Sequence, residues 1–256
     1  MVDIHSHLIW GIDDGSESKE MTINMLKQAK EGGTKKLVLT PHYLLGYYEV
    51  PIIKVKEKAK EISLLAKYNE IDIEIYCGQE VYFNRKILEN FENKIIGTIN
   101  ESRYMLIEFN MRNFSVEEVI EILYELQLKG IVPIIAHPER YIKFIKSPSL
   151  INKFIKEGFL FQLNIGSLTG DFGKEVKKTA KIFLKNKIYS FFGSDAHRDK
   201  RRNPNMKLGV EALKAIDNNY FNYLKESGEK LLNNDEIKFI GNSIKEKKGL
   251  LDIFKK

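Results

Sequence analysis

The 256-residue chain has one cysteine, one tryptophan and six prolines. A single cysteine excludes an internal disulfide framework and a thiolate-only zinc site, and it fits a reducing compartment. No apolar run approaches the roughly 18 residues that span a bilayer. The amino terminus, MVDIHSHLIW, lacks the basic flank and long apolar core of a signal peptide. The expectation is a cytoplasmic protein, neither secreted nor membrane-spanning. The excess of one charge sign is also small: 41 Lys+Arg stand against 35 Asp+Glu, a formal net charge of +6. The lysines recur as KEKAKE, KEVKKTAK and KEKKG, the pattern of solvated helix faces, so no nucleic-acid partner is expected.

What the chain does have is a regular series of apolar segments. With 43% hydrophobic residues spread throughout, wholesale disorder is excluded. The length suits one (β/α) barrel of about 250 residues, or one or two ordinary domains. Strand-length runs fall at Val2–Ile4, Lys36–Thr40, Ile71–Cys77, Tyr104–Phe109, Ile131–Ala136, Phe159–Leu163 and Ile188–Gly193. Between them lie helical patterns. Ile52, Val55, Ala59, Ile62 and Ala66 make one face. Val116, Val119, Ile120 and Leu123 make another, opened by a capping box from Ser115 to Glu118 and stopped at Gly130. A third opens at Ser147-Pro148, turns Ile151, Phe154 and Ile155 inward and ends before Gly158. Apolar strands separated by amphipathic helices predict a parallel sheet covered on both faces. No linker marks a second domain, so residues 1–241 read as one unit and 242–256 as a basic tail, in which Leu250, Leu251, Ile253 and Phe254 form a short apolar patch.

The polar residues choose between an open sheet and a barrel. His5 and His7 follow the first run, His42 the second and Glu80 the third; Glu108 closes the fourth, His137 follows the fifth, and Asp195 and His197 follow the seventh. In a parallel sheet all these ends share one rim, and a closed or nearly closed barrel aims them at one centre. Imidazole with carboxylate is the ligand set of divalent transition metals. Residues two apart on an extended segment, as in His5-Ser6-His7 and Asp195-Ala196-His197, project to the same side, which turns the Ser6 side chain away from the rings. An aspartate of the Asp13-Asp14-Gly15 loop can close the site; spacing does not separate the two. So many ligands exceed one open centre and predict two or three ions.

Such clusters hydrolyse phosphate esters, lowering the pKa of water and clamping phosphoryl oxygens. Arg140, three residues beyond His137, and Arg202, in the loop after His197, are candidate phosphate contacts. A cysteine phosphatase would need an arginine six positions after its nucleophile, and that position after Cys77 is Phe83, so Cys77 reads as a buried strand residue. The Gly166–Gly173 segment fails the phosphate-loop frame at Leu168 and Glu175 and reads as a structured loop. Aromatics after the ligand positions, Tyr43, Tyr47, Tyr48, Tyr82 and Phe83, are candidates to line a phenyl ring.

Together, Asp3-Ile-His5-Ser-His7, Asp13-Asp14-Gly15, Thr40-Pro-His42, Gly78-Gln-Glu80, Ile107-Glu108-Phe109, Ile135-Ala-His137-Pro-Glu139-Arg140 and Ser194-Asp195-Ala-His197 resemble the bacterial manganese-dependent tyrosine-protein phosphatases of the polymerase and histidinol phosphatase (PHP) superfamily. The resemblance implies a distorted seven-stranded (β/α) TIM-like barrel of the PHP fold. It also implies a trinuclear centre, with manganese preferred and iron or zinc as alternatives. By position, His5, His7, Glu80 and Asp195 would serve one ion, Glu80, Glu108 and His137 a second, and Asp14, His42 and His197 a third. Arg140 and Arg202 would meet phosphate, with Arg201 as the alternative to Arg202 in an unusually basic loop. The implied substrate is phosphotyrosine on a bacterial tyrosine kinase of capsule or exopolysaccharide assembly, with any membrane association peripheral, through the kinase or the tail. A small-molecule phosphomonoesterase such as a histidinol phosphatase is the competing reading.

Overall fold

The computed structural model describes residues 1–245, so the apolar patch from Leu250 to Phe254 lies outside the described residues. Each apolar run contains a strand: β1 (Val2–Asp3), β2 (Lys36–Leu39), β4 (Glu74–Cys77), β6 (Tyr104–Glu108), β7 (Val132–Ala136), β8 (Leu160–Asn164) and β9 (Phe191–Gly193). Two further short strands, β3 (His42–Tyr43) and β5 (Glu80–Tyr82), lie just beyond runs two and three. The expected seven strands are thus nine among the described residues, in two parallel sheets ordered β1-β2-β4 and β3-β5-β6-β7-β8-β9. The breaks fall at Thr40-Pro41 and Gly78-Gln79, and Pro41 has no N–H to give to a ladder. Pairing resumes in step beyond them: Leu39 opposes Cys77 and, three residues on in both strands, His42 opposes Glu80.

The six-stranded sheet curls. Past its β9 edge, Ser6 bridges Ala196 in the parallel sense, with the His7 N–H donating to the Ala196 carbonyl at 2.9 Å and the Asp195 N–H to the His5 carbonyl at 2.8 Å. The chain is therefore an α/β protein with a curled parallel sheet, and the carboxyl ends of its strands converge.

Helices cover the outside, beginning with α1 (Lys19–Glu31), α2 (Ile52–Tyr68), α3 (Ile87–Glu92) and α4 (Val116–Leu128), and the 3.6-residue pattern explains which face each buries. In α2, Ile52, Val55, Ala59, Ile62 and Ala66 are buried as expected, joined by Leu65. At the start of α4 the Ser115 hydroxyl accepts the Glu118 N–H at 3.2 Å, while the Glu118 carboxylate pairs with Arg85 rather than completing a capping box. The third pattern is broken in two: Pro148–Leu150 is a 3₁₀ turn, and helix follows only over Ile151–Lys156, with Ile151 and Phe154 buried. Ser147 makes no side-chain cap there. The Gly166–Gly173 segment, expected as a loop, opens with a helical turn over Gly166–Thr169. At the carboxyl end, Asn242 donates to the Asn186 carbonyl at 2.8 Å, and buried Ile244 exchanges two hydrogen bonds of 2.9 Å with the Asn152 side chain. The first residues of the expected tail are therefore tied to the body.

Candidate metal centre

The strand ends carry the predicted side chains to one place. His5 and His7 lie just past β1 and point together, their Nε2 atoms 3.1 Å apart, while Ser6 between them turns away and donates to the Val38 carbonyl. Glu80, at the start of β5, reaches four rings: its Oε2 lies 3.2 Å from His5, 3.4 Å from His7 and 3.0 Å from His42, and its Oε1 3.0 Å from His137. Glu108, ending β6, lies 3.7 Å from His137 and 3.8 Å from His42. Asp195 presents Oδ1 to His5, His7 and His197 at 3.5–3.6 Å. Asp14 Oδ1 sits 3.5 Å from both His42 and His197. All nine predicted ligands therefore fall in one cluster.

The spacing tests whether ions fit. Metal–ligand bonds of about 2.0–2.2 Å give donor-to-donor edges of roughly 2.8–3.6 Å in octahedral or tetrahedral shells. Most separations here lie in that range. Three donor groups stand out: His5, His7 and Glu80; His42, Glu80 and Glu108; and His7, Asp14, His42 and His197. The buried Nδ1 of His42 makes no hydrogen bond, although Glu80 Oε2 lies 3.0 Å away.

Charge points the same way. Burial opposes ionisation of Glu80 and Asp195, yet His5 with its neighbours holds both carboxyls well below the usual range. Burial, with Glu80 beside it, pushes Glu108 well up. Burial lowers His137 and His197 to about 4, helped by Arg140 and His7 respectively, and it lowers His42 as well. These three rings are neutral at pH 7, the form that ligates. For His5 and His7 burial is outweighed by Glu80, Asp195 and Asp13, so both are raised. Two protonated nitrogens facing each other at 3.1 Å repel, whereas two lone pairs around one cation do not. The arrangement suits a cation.

Several positioning residues escaped the sequence reading. Asp13 and Asp14, inseparable by spacing, part company in space. Asp13 is buried beneath His7, accepts its Nδ1–H at 2.7 Å and the His42 N–H at 3.0 Å, and so leaves His7 Nε2 free; Asp14 alone faces His42 and His197. Gln162 Oε1 lies 3.0 Å from His5 Nδ1 and accepts the His137 N–H at 3.2 Å, and Asn164 Nδ2 donates to Asp195 Oδ2 at 2.7 Å. Both sit on β8, the one run with no ionisable group at its end, where two polar residues at period two in an apolar strand were the available signal. Glu139 is wholly buried and accepts from the Asn164 N–H, Ser167 and Tyr189, pinning the turn after His137; burial raises its carboxyl to about 7.

The backbone is strained where these groups emerge. His137, Asp195 and Arg202 have φ of 31°, 51° and 52°, at a cost of about 1–3 kcal/mol each. Gly193 is required by close approach, because a Cβ there would meet the His5 Cβ at 2.7 Å.

Arg140 and Arg202 converge on the far side of Asp195, reaching its Oδ2 at 2.5 and 2.7 Å, and both lie against the Phe172 ring. Arg201 makes no such contact; it lines the outer part of the cleft beside them. Among the aromatics, Tyr43 is buried in the core, whereas Tyr48 stacks on His42 at 6.2 Å and Tyr47 is 81% exposed on the adjoining turn. Cys77 is only partly buried, at the edge of an apolar cluster, and burial raises its thiol.

Comparison with known proteins agrees with this geometry. CapC of Staphylococcus aureus is 37% identical over 239 residues, 93% of each chain. The tyrosine-protein phosphatase CpsB of Streptococcus pneumoniae is 34% identical over 218 residues, 83% of this chain and 89% of that one. A crystal structure from work on YwqE of Bacillus subtilis and CpsB of Streptococcus pneumoniae, described as metal-dependent tyrosine phosphatases, superposes with a TM-score of 0.91 at 29% identity, covering 96% of this chain and 100% of that one. A TatD-family hydrolase from Entamoeba histolytica shares the fold alone, with a TM-score of 0.52 at 12% identity. Residues 1–240 match the family described as capsular polysaccharide synthesis, CpsB/CapC, and the chain belongs to that family.

Proposed function

We propose that this protein is a metal-dependent protein-tyrosine phosphatase of capsule or exopolysaccharide synthesis, acting in the cytoplasm on a phosphotyrosine-bearing tyrosine kinase. The observation that carries the reading is Asp195: its Oδ1 faces the imidazole cluster and its Oδ2 holds the two guanidiniums. One carboxylate thereby joins a set of cation ligands to a pair of anion receptors. Hydrolysis of a phosphate monoester needs both side by side.

The mixed imidazole and carboxylate set suits two or three ions, manganese first among them. Bound there, divalent ions supply Lewis-acid polarisation of phosphoryl oxygens and lower the pKa of water. The rest belongs to the chain. Asp13 and Gln162 hold the His7 and His5 rings in fixed orientations, and Asn164 holds Asp195. Arg140 and Arg202 present planar donors for bidentate contact with phosphate oxygens, their planes braced by Phe172. Tyr48, stacked on His42, offers an apolar face to a phenyl ring. A phenolate leaving group, with a pKa of about 10, departs with less protonation than an aliphatic alkoxide. This matters because all five histidines belong to the cluster, leaving none spare as a general acid. We also read the two sheets as one distorted seven-stranded barrel, supported by the in-step pairing across both breaks and by the Ser6–Ala196 bridge.

The test is a comparison of kcat/KM for a phosphotyrosyl peptide, a phosphoseryl peptide and histidinol phosphate at matched manganese and pH. The phosphotyrosyl peptide is expected to lead by well over tenfold. A tenfold preference for histidinol phosphate refutes the reading in favour of a small-molecule phosphomonoesterase.

A further inference from the structure

We infer that the cleft between the Gly166–Gly173 segment and the loop after His197 is a subsite for an acidic residue of the substrate chain, one or two positions from the phosphotyrosine. The inference rests on the phosphatase reading and extends it to sequence preference. The cleft encloses about 740 Å³ and adjoins the candidate metal centre through Arg140 and Arg202, which line it and grip Asp195. Its outer wall carries Lys200 and Arg201.

Those two cations set the chemistry. Among the described residues neither has a carboxylate within 4 Å, whereas neighbouring Arg198 pairs with Glu17 and the inner arginines with Asp195. Asp171 is the carboxylate lining the cleft, and its Oδ1 is already taken by the Thr169 hydroxyl at 2.8 Å. Four cations, against Asp171 and the single Asp195 carboxylate shared by the two inner arginines, leave the cleft net positive in a partly enclosed space, where screening is weaker than on an open surface. Arg140 and Arg202 are committed to the reacting phosphate under the phosphatase reading, so Lys200 and Arg201 remain for a second anionic group. An extended chain advances about 3.3–3.6 Å per residue, so a residue one or two positions away is displaced by roughly 3–7 Å from the phosphotyrosine, and the cleft adjoins the two arginines assigned to the phosphate. Ile165, Met206 and Phe172 supply apolar surface for the methylene stem of a glutamate.

The test uses the full chain loaded with manganese and three peptides that differ only in the residues flanking one phosphotyrosine: Glu, Gln or Lys. The wild-type protein is expected to favour the Glu peptide over the Lys peptide by on the order of tenfold in kcat/KM, mainly through KM, with the margin shrinking as salt rises. The double substitution K200E/R201E is expected to invert the order, and K200Q/R201Q to level it. Ratios between peptides on one enzyme cancel any change in the phosphate chemistry, so a structural defect that slows all three alike does not imitate the effect. Both positions lie on the cleft's outer wall, and the milder variant guards against misfolding of the charge reversal. Equal use of the three peptides within twofold by the wild-type protein overturns the subsite while leaving the phosphatase reading intact, and so does a Glu preference that survives K200E/R201E. Failure to hydrolyse any of the three peptides removes the phosphatase reading and the subsite with it.

Discussion

Replacing Asp13 by asparagine tests whether the centre is built in layers, because Asp13 orients a ligand that Asp14 merely neighbours. The Asp13 carboxylate makes three contacts: Oδ2 with His7 Nδ1 at 2.7 Å and with the His42 N–H at 3.0 Å, and Oδ1 with the Gly15 N–H at 2.9 Å. An amide has one acceptor oxygen. Whichever way the substituted side chain turns, its NH₂ faces at least one buried N–H, or drives His7 into the tautomer whose Nε2 carries hydrogen and cannot ligate. Losing one hydrogen bond to a charged group costs about 1.5–3 kcal/mol, and loss of such an outer partner weakens metal binding by roughly 10–100-fold. The two figures agree, since a difference of about 1.4 kcal/mol is tenfold in affinity. Calorimetric titration of chelator-stripped protein with manganese is the assay, with a thermal melt in chelator to establish that the variant folds. D13N is expected to keep the number of bound ions and weaken their affinity, whereas D14N, which removes a ligand, is expected to lower that number. Manganese affinity of folded D13N within twofold of the wild type refutes the layered account.

Other consequences are as direct. Chelation is expected to abolish phosphatase activity and manganese to restore it. His42→Ala and Asp195→Ala should each lower turnover by about 10²-fold or more, as loss of positioned charge does; undiminished turnover in a metal-free preparation contradicts this. Arg140→Lys keeps the charge but not the planar fork against Asp195 and Phe172, so kcat/KM should fall roughly 10–100-fold in a variant whose thermal melt establishes that it folds, and parity with the wild type denies the phosphate contact. Cys77→Ser should leave turnover within a few-fold, because the partly buried, high-pKa thiol packs at the edge of an apolar cluster; a folded, metal-loaded variant without activity reverses that.

Most of the helical layer was legible because its information is local. The α2 face follows from a 3.6-residue period that neighbouring residues carry among themselves, and the structure buries all five predicted positions. The candidate ligands were legible for a different reason: imidazoles and carboxylates recur at the ends of the apolar runs, and the structure brings those side chains into one cluster. Where two segments distant in sequence had to meet, the signal ran out. β3 and β5 are too short to show a period, and they exist because His42 and Glu80 find each other across the break at Pro41. Ser147 looks like a cap, yet the turn at Pro148 takes a 3₁₀ path that gives it no N–H. Tyr43 follows a ligand in sequence but belongs to the core, since alternate residues of a strand face opposite sides. The amino-acid sequence by itself determined which chemistry the protein holds and on which strand ends. Only the tertiary structure decided that Asp14 faces the rings while Asp13 braces one, and that Gln162 and Asn164 steady the ligands from β8. Adjacent residues share a spacing, and direction is assigned to each only when the loop is packed against strands from the other end of the chain.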